Sequence, residues 1–171
     1  MFSNNQLDML VSKNDASSQK AYIHYFISDT QPKQMRPANL EKIIQDLFYI
    51  DSVLTKKDNL IIVVDEEPND ALISKMNYLY DHSGIFVVVH NIKRLQFNIL
   101  EHKLMPEVQV LTETQQAELM KTYNISNGEQ LPEISRYDPM ALAICMRPKQ
   151  VCKLIRSSPT SMYYIYYRVC V

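Results

Sequence analysis

The last part of the chain reads Val151-Cys-Lys-Leu-Ile-Arg156, then Ser157-Ser-Pro-Thr-Ser161, then Tyr163-Tyr-Ile-Tyr-Tyr-Arg-Val-Cys-Val171. The outer segments are rich in β-branched and aromatic residues, and the middle segment has the residues that turns prefer. The sequence therefore predicts two strands joined by this turn, forming an antiparallel hairpin.

Upstream of this hairpin, the sequence predicts two helices. Thr112 and Gln115 have the spacing of a capping box, so a helix should begin there and run to about Tyr123. Asp138 followed by Pro139 favours a second helix start, because a carboxylate can accept an orphan amide hydrogen and proline tolerates the first position. Pro148 should stop that helix. This half of the chain is predicted to be α+β.

The first half shows a different pattern of apolar residues. Three runs predict strands, and two stripes with helical spacing predict helices. In chain order these are a strand at Ala21–Ser28, a helix at Asn39–Ile50, a strand at Leu60–Val64, a helix from Leu72 capped by Asn69 or Asp70 and followed by Gly84, and a strand at Ile85–Val89. This order predicts an open α/β sheet with parallel strands.

Two further segments give weaker patterns. Leu7, Leu10 and Val11 have the spacing of one helical turn, within a polar segment of residues 1–20 that is predicted to be flexible. Leu95, Phe97 and Ile99 alternate with polar residues, which predicts a half-exposed strand.

The charge is balanced overall but uneven along the chain. Eighteen basic residues face nineteen acidic ones, so bulk charge does not favour a free-standing nucleic-acid binder. After Asp138 no acidic residue occurs, and five basic residues follow: Arg147, Lys149, Lys153, Arg156 and Arg168. This segment should attract an acidic protein face or a phosphate backbone, unless it is a solvated basic face.

The remaining composition excludes several classes of protein. Cys145, Cys152 and Cys170 show no metal-ligand spacing and are predicted to be reduced, buried or half-buried thiols of an intracellular protein. Only two glycines are present, so a glycine-rich phosphate cradle is excluded. Leu60–Val64 and Ile85–Val89 are too short to span a bilayer, and we expect a soluble protein without cofactor.

Several motifs of the second half resemble the fifth subunit of the eukaryotic nuclear RNA polymerases and its smaller archaeal counterpart. The resemblance covers about residues 98–171, and its motif positions are Glu101, His102, Leu104, Pro106, Leu131, Pro132, Ile134, Asp138, Pro139, Ala141, Lys153, Ile155, Arg156, Ser158, Tyr164, Tyr167 and Arg168. It implies an assembly domain that docks on the largest polymerase subunit. Three departures are visible: Arg147-Pro148-Lys149 lacks a glycine, Pro159 replaces a glutamate, and a glycine before Tyr163-Tyr164 is missing.

The resemblance and the acid-free segment together define a candidate interface. Arginine and tyrosine dominate binding where water is excluded, so Arg156, Tyr167 and Arg168 are the expected anchors. The complete candidate interface is His102, Pro106, Asp138, Pro139, Arg147, Lys149, Lys153, Arg156, Tyr164, Tyr167 and Arg168.

Residues 1–97 resemble the jaw domain of the same family more loosely. That domain has a restriction-endonuclease-like α/β fold near downstream DNA, and Pro68 and Ala71 match a loop after a buried strand. The preceding Asp65-Glu66-Glu67 would repel phosphate, and the family's leading helices are missing. We expect a reduced jaw with weak or no direct DNA contact.

A second hypothesis is that the chain is an enzyme. Asp65, Glu66, Glu67, Glu101 and Lys103 are the residue types of a metal-dependent nuclease. This would make the chain a stand-alone DNA-processing enzyme, or a transcription regulator with the same two domains. The single histidines at 24, 82 and 90 do not predict zinc.

The preferred prediction is a non-catalytic subunit of a multisubunit DNA-dependent RNA polymerase, present in one copy beside the largest and other subunits. The resemblance implies a nuclear protein. The divergent motifs are also consistent with a large DNA virus, for which the cytoplasmic virus factory and the virion are expected. No metal, cofactor or membrane is predicted.

Overall fold

The computed structural model describes residues 7–13, 19–27 and 35–171. The chain divides into two compact units, Met1–Phe97 and Asn98–Val171. Each unit contains one four-stranded sheet. None of the helices in the described ranges has the length and apolar character needed to cross a membrane.

The amino-terminal unit is built on a mixed sheet. Its strands are β1 (Met9–Ser12), β2 (Lys20–Phe26), β3 (Asn59–Val64) and β4 (Phe86–Asn91), and its α-helices are α1 (Pro37–Ile44) and α2 (Asp70–Ser83). The strands lie in the order β1-β2-β3-β4, with β2, β3 and β4 parallel and β1 antiparallel to β2. The predicted parallel arrangement is confirmed, and β1 is the addition that makes the sheet mixed.

Local signals set the ends of the unit's helices. The Asn69 side chain accepts a hydrogen bond from the Leu72 amide at 2.9 Å, and Gly84 ends α2 in a left-handed conformation with φ of 70°. The predicted helix at Asn39–Ile50 is confirmed in type, although it starts at Pro37 and continues from Gln45 to Ile50 as a π-helix. Both strand crossovers therefore carry a helix, as parallel pairing requires.

The predicted helical turn at Leu7 to Val11 is wrong, because β1 occupies Met9–Ser12. The Asp8 carboxylate accepts hydrogen bonds from the Tyr22 hydroxyl at 3.1 Å, the His24 Nδ1 at 2.8 Å and the Tyr25 amide at 3.1 Å. These bonds to β2 hold the segment extended. The rest of the predicted flexible segment includes residues 1–6 and 14–18, and the predicted first strand includes Ser28; all of these lie outside the described residues.

The predicted strand at Leu95 to Ile99 is also wrong, since two 3₁₀ helices, Ile92–Gln96 and Ile99–Glu101, replace it. Asn91 accepts a hydrogen bond from the Lys93 amide, and Asn98 accepts one from the Leu100 amide. Such local side-chain bonds compete with strand pairing, and here they prevail over the alternation of apolar residues.

The carboxyl-terminal unit is α+β. Its strands are β5 (Glu107–Val110), β6 (Glu133–Ile134), β7 (Val151–Ser158) and β8 (Met162–Cys170), and its helices are α3 (Glu113–Thr122) and α4 (Pro139–Ala143). The sheet order is β5-β7-β8-β6, and β7 and β8 form the predicted antiparallel hairpin. The capping box at Thr112 and Gln115 is present, and Asp138 caps α4 by accepting from the Met140 amide at 2.9 Å.

Two apolar clusters cover opposite faces of this second sheet. One contains Cys152 and Leu154 beneath Met140 and Met146, and the other contains Val151 and Val169 beneath Leu119 of α3. Consecutive strand residues point to opposite faces, so the hairpin supplies both clusters.

Two residues without a glycine's conformational freedom adopt a left-handed backbone conformation at the ends of the hairpin strands. Lys149 has φ of 71° and Met162 has φ of 59°. Cys145, which follows α4, also has a positive φ, of 51°, so the helix ends before Pro148 can act on it.

Candidate docking surface

The β7–β8 hairpin extends beyond the part of the sheet that is covered by helices. Its register pairs Val151 with Val169 at the covered end and Ser158 with Met162 at the turn. The side chains near the turn are exposed, with Met162 at 82% and Tyr163 at 63%. The hairpin end therefore presents apolar and aromatic side chains to solvent on both faces.

The first face of the hairpin end, called here the arginine face, carries Arg156, Tyr164, Tyr166 and Arg168. The rings of Tyr164 and Tyr166 are stacked with centroids 5.5 Å apart, and the Arg168 guanidinium lies 5.9 Å from the Tyr166 centroid. Arg168 also donates a hydrogen bond to the Glu133 carbonyl at 2.9 Å. Arg168 is thus held beside two stacked rings, and Arg156 is paired with Tyr164 across the hairpin. The arrangement suits carboxylates and apolar groups of a protein partner.

The opposite face, called here the helix face, carries Lys153 and Tyr167, which pair across the hairpin. The Tyr167 ring meets the Tyr123 ring edge to face, with centroids 6.0 Å apart. Burial and the nearby Tyr123 raise the pKa of Tyr167. An open cleft of about 300 Å³ lies here between α3 and the sheet, with Lys153 and Glu118 on its walls. The fold therefore separates Tyr167 from Arg156 and Arg168, although sequence analysis grouped all three as anchors.

The turn between residues 98 and 106 holds two more candidate residues, His102 and Pro106. The His102 Nδ1 accepts a hydrogen bond from the Leu104 amide at 3.2 Å, and the His102 carbonyl accepts one from the Met105 amide at 2.8 Å. Met105 packs against the core on the arginine face, whereas Leu104 is 82% exposed. The turn is anchored on one side and offers an exposed leucine on the other.

Asp138 and Pro139 have structural tasks in this unit, because Asp138 caps α4 and Pro139 is its first residue. The 3₁₀ helix Ile99–Glu101 contacts α4. These two candidate residues position the helix that covers the arginine-face core.

Arg147 and Lys149 lie in the connection from α4 to β7. The Arg147 amide donates to the Gln150 side chain at 2.8 Å, and the Lys149 amide donates to the Cys170 carbonyl at 2.8 Å. Burial raises the pKa of the nearby Cys145 thiol, although the Arg147 charge opposes this. The connection is fixed by its backbone, so both cationic side chains start from a defined position.

Sequence analysis missed Arg136, which is a buried cation of this unit. Its exposed fraction is 6%, and its guanidinium lies 5.3 Å from the centroid of the Tyr137 ring. Burial raises the pKa of Cys170 to about 11, even though the Arg136 charge lowers it. Its position between Ile134 and Asp138, inside the motif region, is the sequence feature that could have identified Arg136.

The three cysteines are free in the structure, and the predicted burial is confirmed, with Cys152 and Cys170 buried and Cys145 half-buried. Among the residues that the structure describes, no group of three or more histidine, cysteine, aspartate or glutamate side chains is placed to hold a metal ion.

Two residues of the nuclease hypothesis have other partners. Glu67 forms an exposed ion pair with Arg94 at 2.6 Å, and Glu101 accepts a hydrogen bond from the Asn98 amide group at 2.9 Å. The residues of the candidate DNA loop lie at the start of α2, where Pro68 is half-buried before the Asn69 cap and Ala71 is exposed.

The carboxyl-terminal unit of the chain is similar to known proteins. A family model described as RNA polymerase Rpb5, C-terminal domain, matches residues 97–170. DNA-directed RNA polymerase subunit Rpo5 of Thermococcus kodakarensis is 43% identical over 76 residues, which are 44% of this chain and 92% of that subunit. Subunit Rpo5 of Staphylothermus marinus is 43% identical over 74 residues, covering 43% of this chain and 80% of that subunit.

A eukaryotic relative matches in the same way. DNA-directed RNA polymerases I, II, and III subunit RPABC1 of Caenorhabditis elegans is 44% identical over 77 residues, which are 45% of this chain and 36% of that subunit. All of these relatives are subunits of DNA-directed RNA polymerases. The chain belongs to the Rpb5 family, which includes the archaeal Rpo5 subunits. The stand-alone enzyme hypothesis is accordingly not favoured.

Proposed function

We propose that this chain is a non-catalytic subunit of a multisubunit DNA-dependent RNA polymerase and docks on the largest subunit through its carboxyl-terminal unit. The observation that carries the proposal is the match itself, which spans residues 97–170 and covers nearly all of an archaeal Rpo5 subunit. A protein that consists almost entirely of this domain needs it for its role in the polymerase. The exposed hairpin end supports a docking role for the same domain.

The arginine face is the proposed centre of this docking surface. Arg156 and Arg168 lie on it together, and the residues from Pro139 to Val171 include no acidic side chain. Lys153 and Tyr167, on the helix face, form a second contact region in this proposal. Arginine beside tyrosine is the composition typical of strongly binding interface residues.

Recovery of the polymerase by a tagged full-length chain tests the proposal. The double variant Arg156→Glu, Arg168→Glu should lower recovery of the largest subunit by about tenfold or more, because reversal of two central charges costs binding free energy. The matched control is Lys42→Glu, Lys121→Glu, which changes the net charge by the same amount at exposed positions of α1 and α3. Circular dichroism should show both variants folded. Equal recovery with the arginine variant and the wild type would remove the arginine face from the interface.

The amino-terminal unit is proposed to form part of the lower jaw near downstream DNA, with weak direct contact. Its parallel β2-β3-β4 core with two crossover helices is compatible with the jaw fold. Asp65, Glu66 and Glu67 precede the candidate loop at Pro68 and Ala71, and carboxylates disfavour phosphate nearby.

The cellular location of the chain depends on which polymerase contains it. A host enzyme would place it in the nucleus, and the enzyme of a large DNA virus would place it in the virus factory and the virion. Mass spectrometry of the complex that co-purifies with the tagged chain would identify that polymerase.

A further inference from the structure

The edge of β8 is longer than the strand that covers it. Strand β8 has nine residues, Met162–Cys170, whereas β6 has two and pairs only with Val169 and Cys170. In the described part of the chain, no strand lies beside β8 from Met162 to Arg168 on this edge. A length of about seven residues is enough for a typical added strand.

The hydrogen bonds at the covered end show which backbone groups point to this edge. The Cys170 amide donates to the Gln150 carbonyl at 2.8 Å, on the β7 side, and the Val169 amide donates to the Pro132 carbonyl at 2.9 Å, on the β6 side. Successive residues of an antiparallel strand alternate between its two edges. The amides and carbonyls of Ile165 and Tyr167 therefore point to the side of Val169, beyond the end of β6.

Before Arg168, the side chains of this edge carry none of the features that protect exposed strands. No charged residue or proline occurs from Met162 to Tyr167. Tyr164 is 41% exposed on the arginine face, and Ile165 is 44% exposed on the helix face. An exposed apolar edge of this kind normally pairs with another chain or is covered.

We propose that an extended segment of the largest polymerase subunit, with acidic and apolar residues at alternate positions, adds to this edge as a fifth strand. This inference rests on the proposed function and specifies its mode of recognition. On the arginine face, an acidic residue of the added strand meets Arg168 of β8, and Arg156 adds positive charge one strand further away on β7. On the helix face, apolar residues of the added strand meet Tyr163 and Ile165. Backbone bonds to Ile165 and Tyr167 complete the pairing, as in other cases of strand addition.

Charge argues against a second copy of this chain as the occupant. The β8 strand of a second copy has no acidic residue that could meet Arg168. An acidic segment of another protein meets this cation favourably.

Proline substitution separates strand addition from side-chain docking. In Ile165→Pro, the lost amide points away from β7, and proline is tolerated at such edge positions. Ile165→Ala is the matched control, because it removes the side chain and keeps the amide. Ile165→Pro should recover about tenfold less largest subunit than Ile165→Ala, since it blocks a ladder bond. Equal recovery of the two variants would overturn the inference.

Hydrogen exchange of the wild-type chain gives a test that needs no variant. The Tyr164 and Tyr166 amides, which point to β7, should exchange slowly in the free chain. The Ile165 and Tyr167 amides should exchange rapidly when free and about tenfold or more slowly in the polymerase complex. Recovery of the polymerase with these two amides unprotected would overturn strand addition and leave the proposed function standing.

Two other outcomes have distinct meanings. If the wild-type chain fails to recover the polymerase, both the proposed function and this inference are wrong. If protection of Ile165 and Tyr167 rises with the concentration of the chain alone, the occupant is a second copy and the inference is wrong.

Discussion

Asp58 is a buried carboxylate whose hydrogen bonds connect separate parts of the amino-terminal unit. Its Oδ1 accepts from the Lys20 amide at 2.7 Å, and its Oδ2 accepts from the Thr55 amide and the Thr55 hydroxyl, both at 2.7 Å. Its exposed fraction is 4%. The contacts fix the start of β2 against the turn before β3, so this residue should matter for stability.

The contribution of Asp58 should depend on pH. Burial raises its pKa, but hydrogen bonds from Lys20 and Thr55 outweigh burial, and the net pKa is below the ordinary value of 3.8. A lowered pKa in the folded state stabilises the fold above the unfolded pKa, and the stabilisation disappears as pH falls through the folded pKa. At about pH 7, Asp58→Asn should lower the free energy of unfolding by about 1–3 kcal/mol.

Urea unfolding at neutral pH and at about pH 3 checks this prediction, because the difference between wild type and Asp58→Asn should shrink in acid. Asp81→Asn, at an exposed position of α2, is the control and should change little at either pH. A difference of the same size at both pH values would contradict the assignment.

The β7–β8 hairpin depends on two residues whose backbone conformation suits glycine. Lys149 precedes β7 with φ of 71°, and Met162 begins β8 with φ of 59°. A side chain in the left-handed region costs about 1–2 kcal/mol because Cβ approaches the following carbonyl. The hairpin tolerates these two residues because its strands are paired along their whole length.

Comparison of glycine with alanine at position 149 tests this conformation. Lys149→Gly should be more stable than Lys149→Ala by about 1 kcal/mol, because alanine keeps the strained Cβ and glycine does not. Both variants remove the lysine side chain, so only the backbone preference differs. Thermal unfolding measures the difference.

At Ala117, in the interior of α3, glycine should be less stable than alanine, the reverse of the order expected at position 149. Ala117→Gly should destabilise the chain by about 1 kcal/mol, because glycine is a poor helix former. Equal or greater stability of Lys149→Ala relative to Lys149→Gly would contradict the left-handed assignment.

At the scale of the whole molecule, the acid-free segment and the longest run of acidic residues lie in different units. The acid-free segment belongs to the carboxyl-terminal unit, and Asp65, Glu66 and Glu67 belong to the amino-terminal unit. This separation fits the proposal that one unit docks on protein while the other lies near DNA with weak contact.

Charge reversal at Glu66 tests the proposed position of the jaw loop. Polymerase that contains Glu66→Lys should bind downstream DNA about two- to threefold more tightly at low salt, and the gain should vanish at high salt. Salt titration of binding to labelled DNA measures this. The control is Glu129→Lys, an exposed residue of the other unit. No gain with Glu66→Lys would place the loop away from DNA.

Elements with local causes could be predicted from the residues alone. The caps at Asn69, Thr112 and Asp138 depend on residues within a few positions of one another. The two strands of the hairpin are consecutive in the chain and joined by a short turn. Short-range hydrogen bonds and side-chain periodicity act on the chain before it folds completely, so their positions are readable from the residues.

Features that depend on other segments of the chain became visible in the folded structure. Strand β1 forms because Asp8 meets Tyr22, His24 and Tyr25 of β2. The placement of Arg156 on the same face as Arg168, and not on that of Tyr167, depends on the register of the hairpin. The open edge of β8 depends on where β6 ends. Register and edge coverage arise from pairing between different segments of the chain, and alternation within one segment does not specify them.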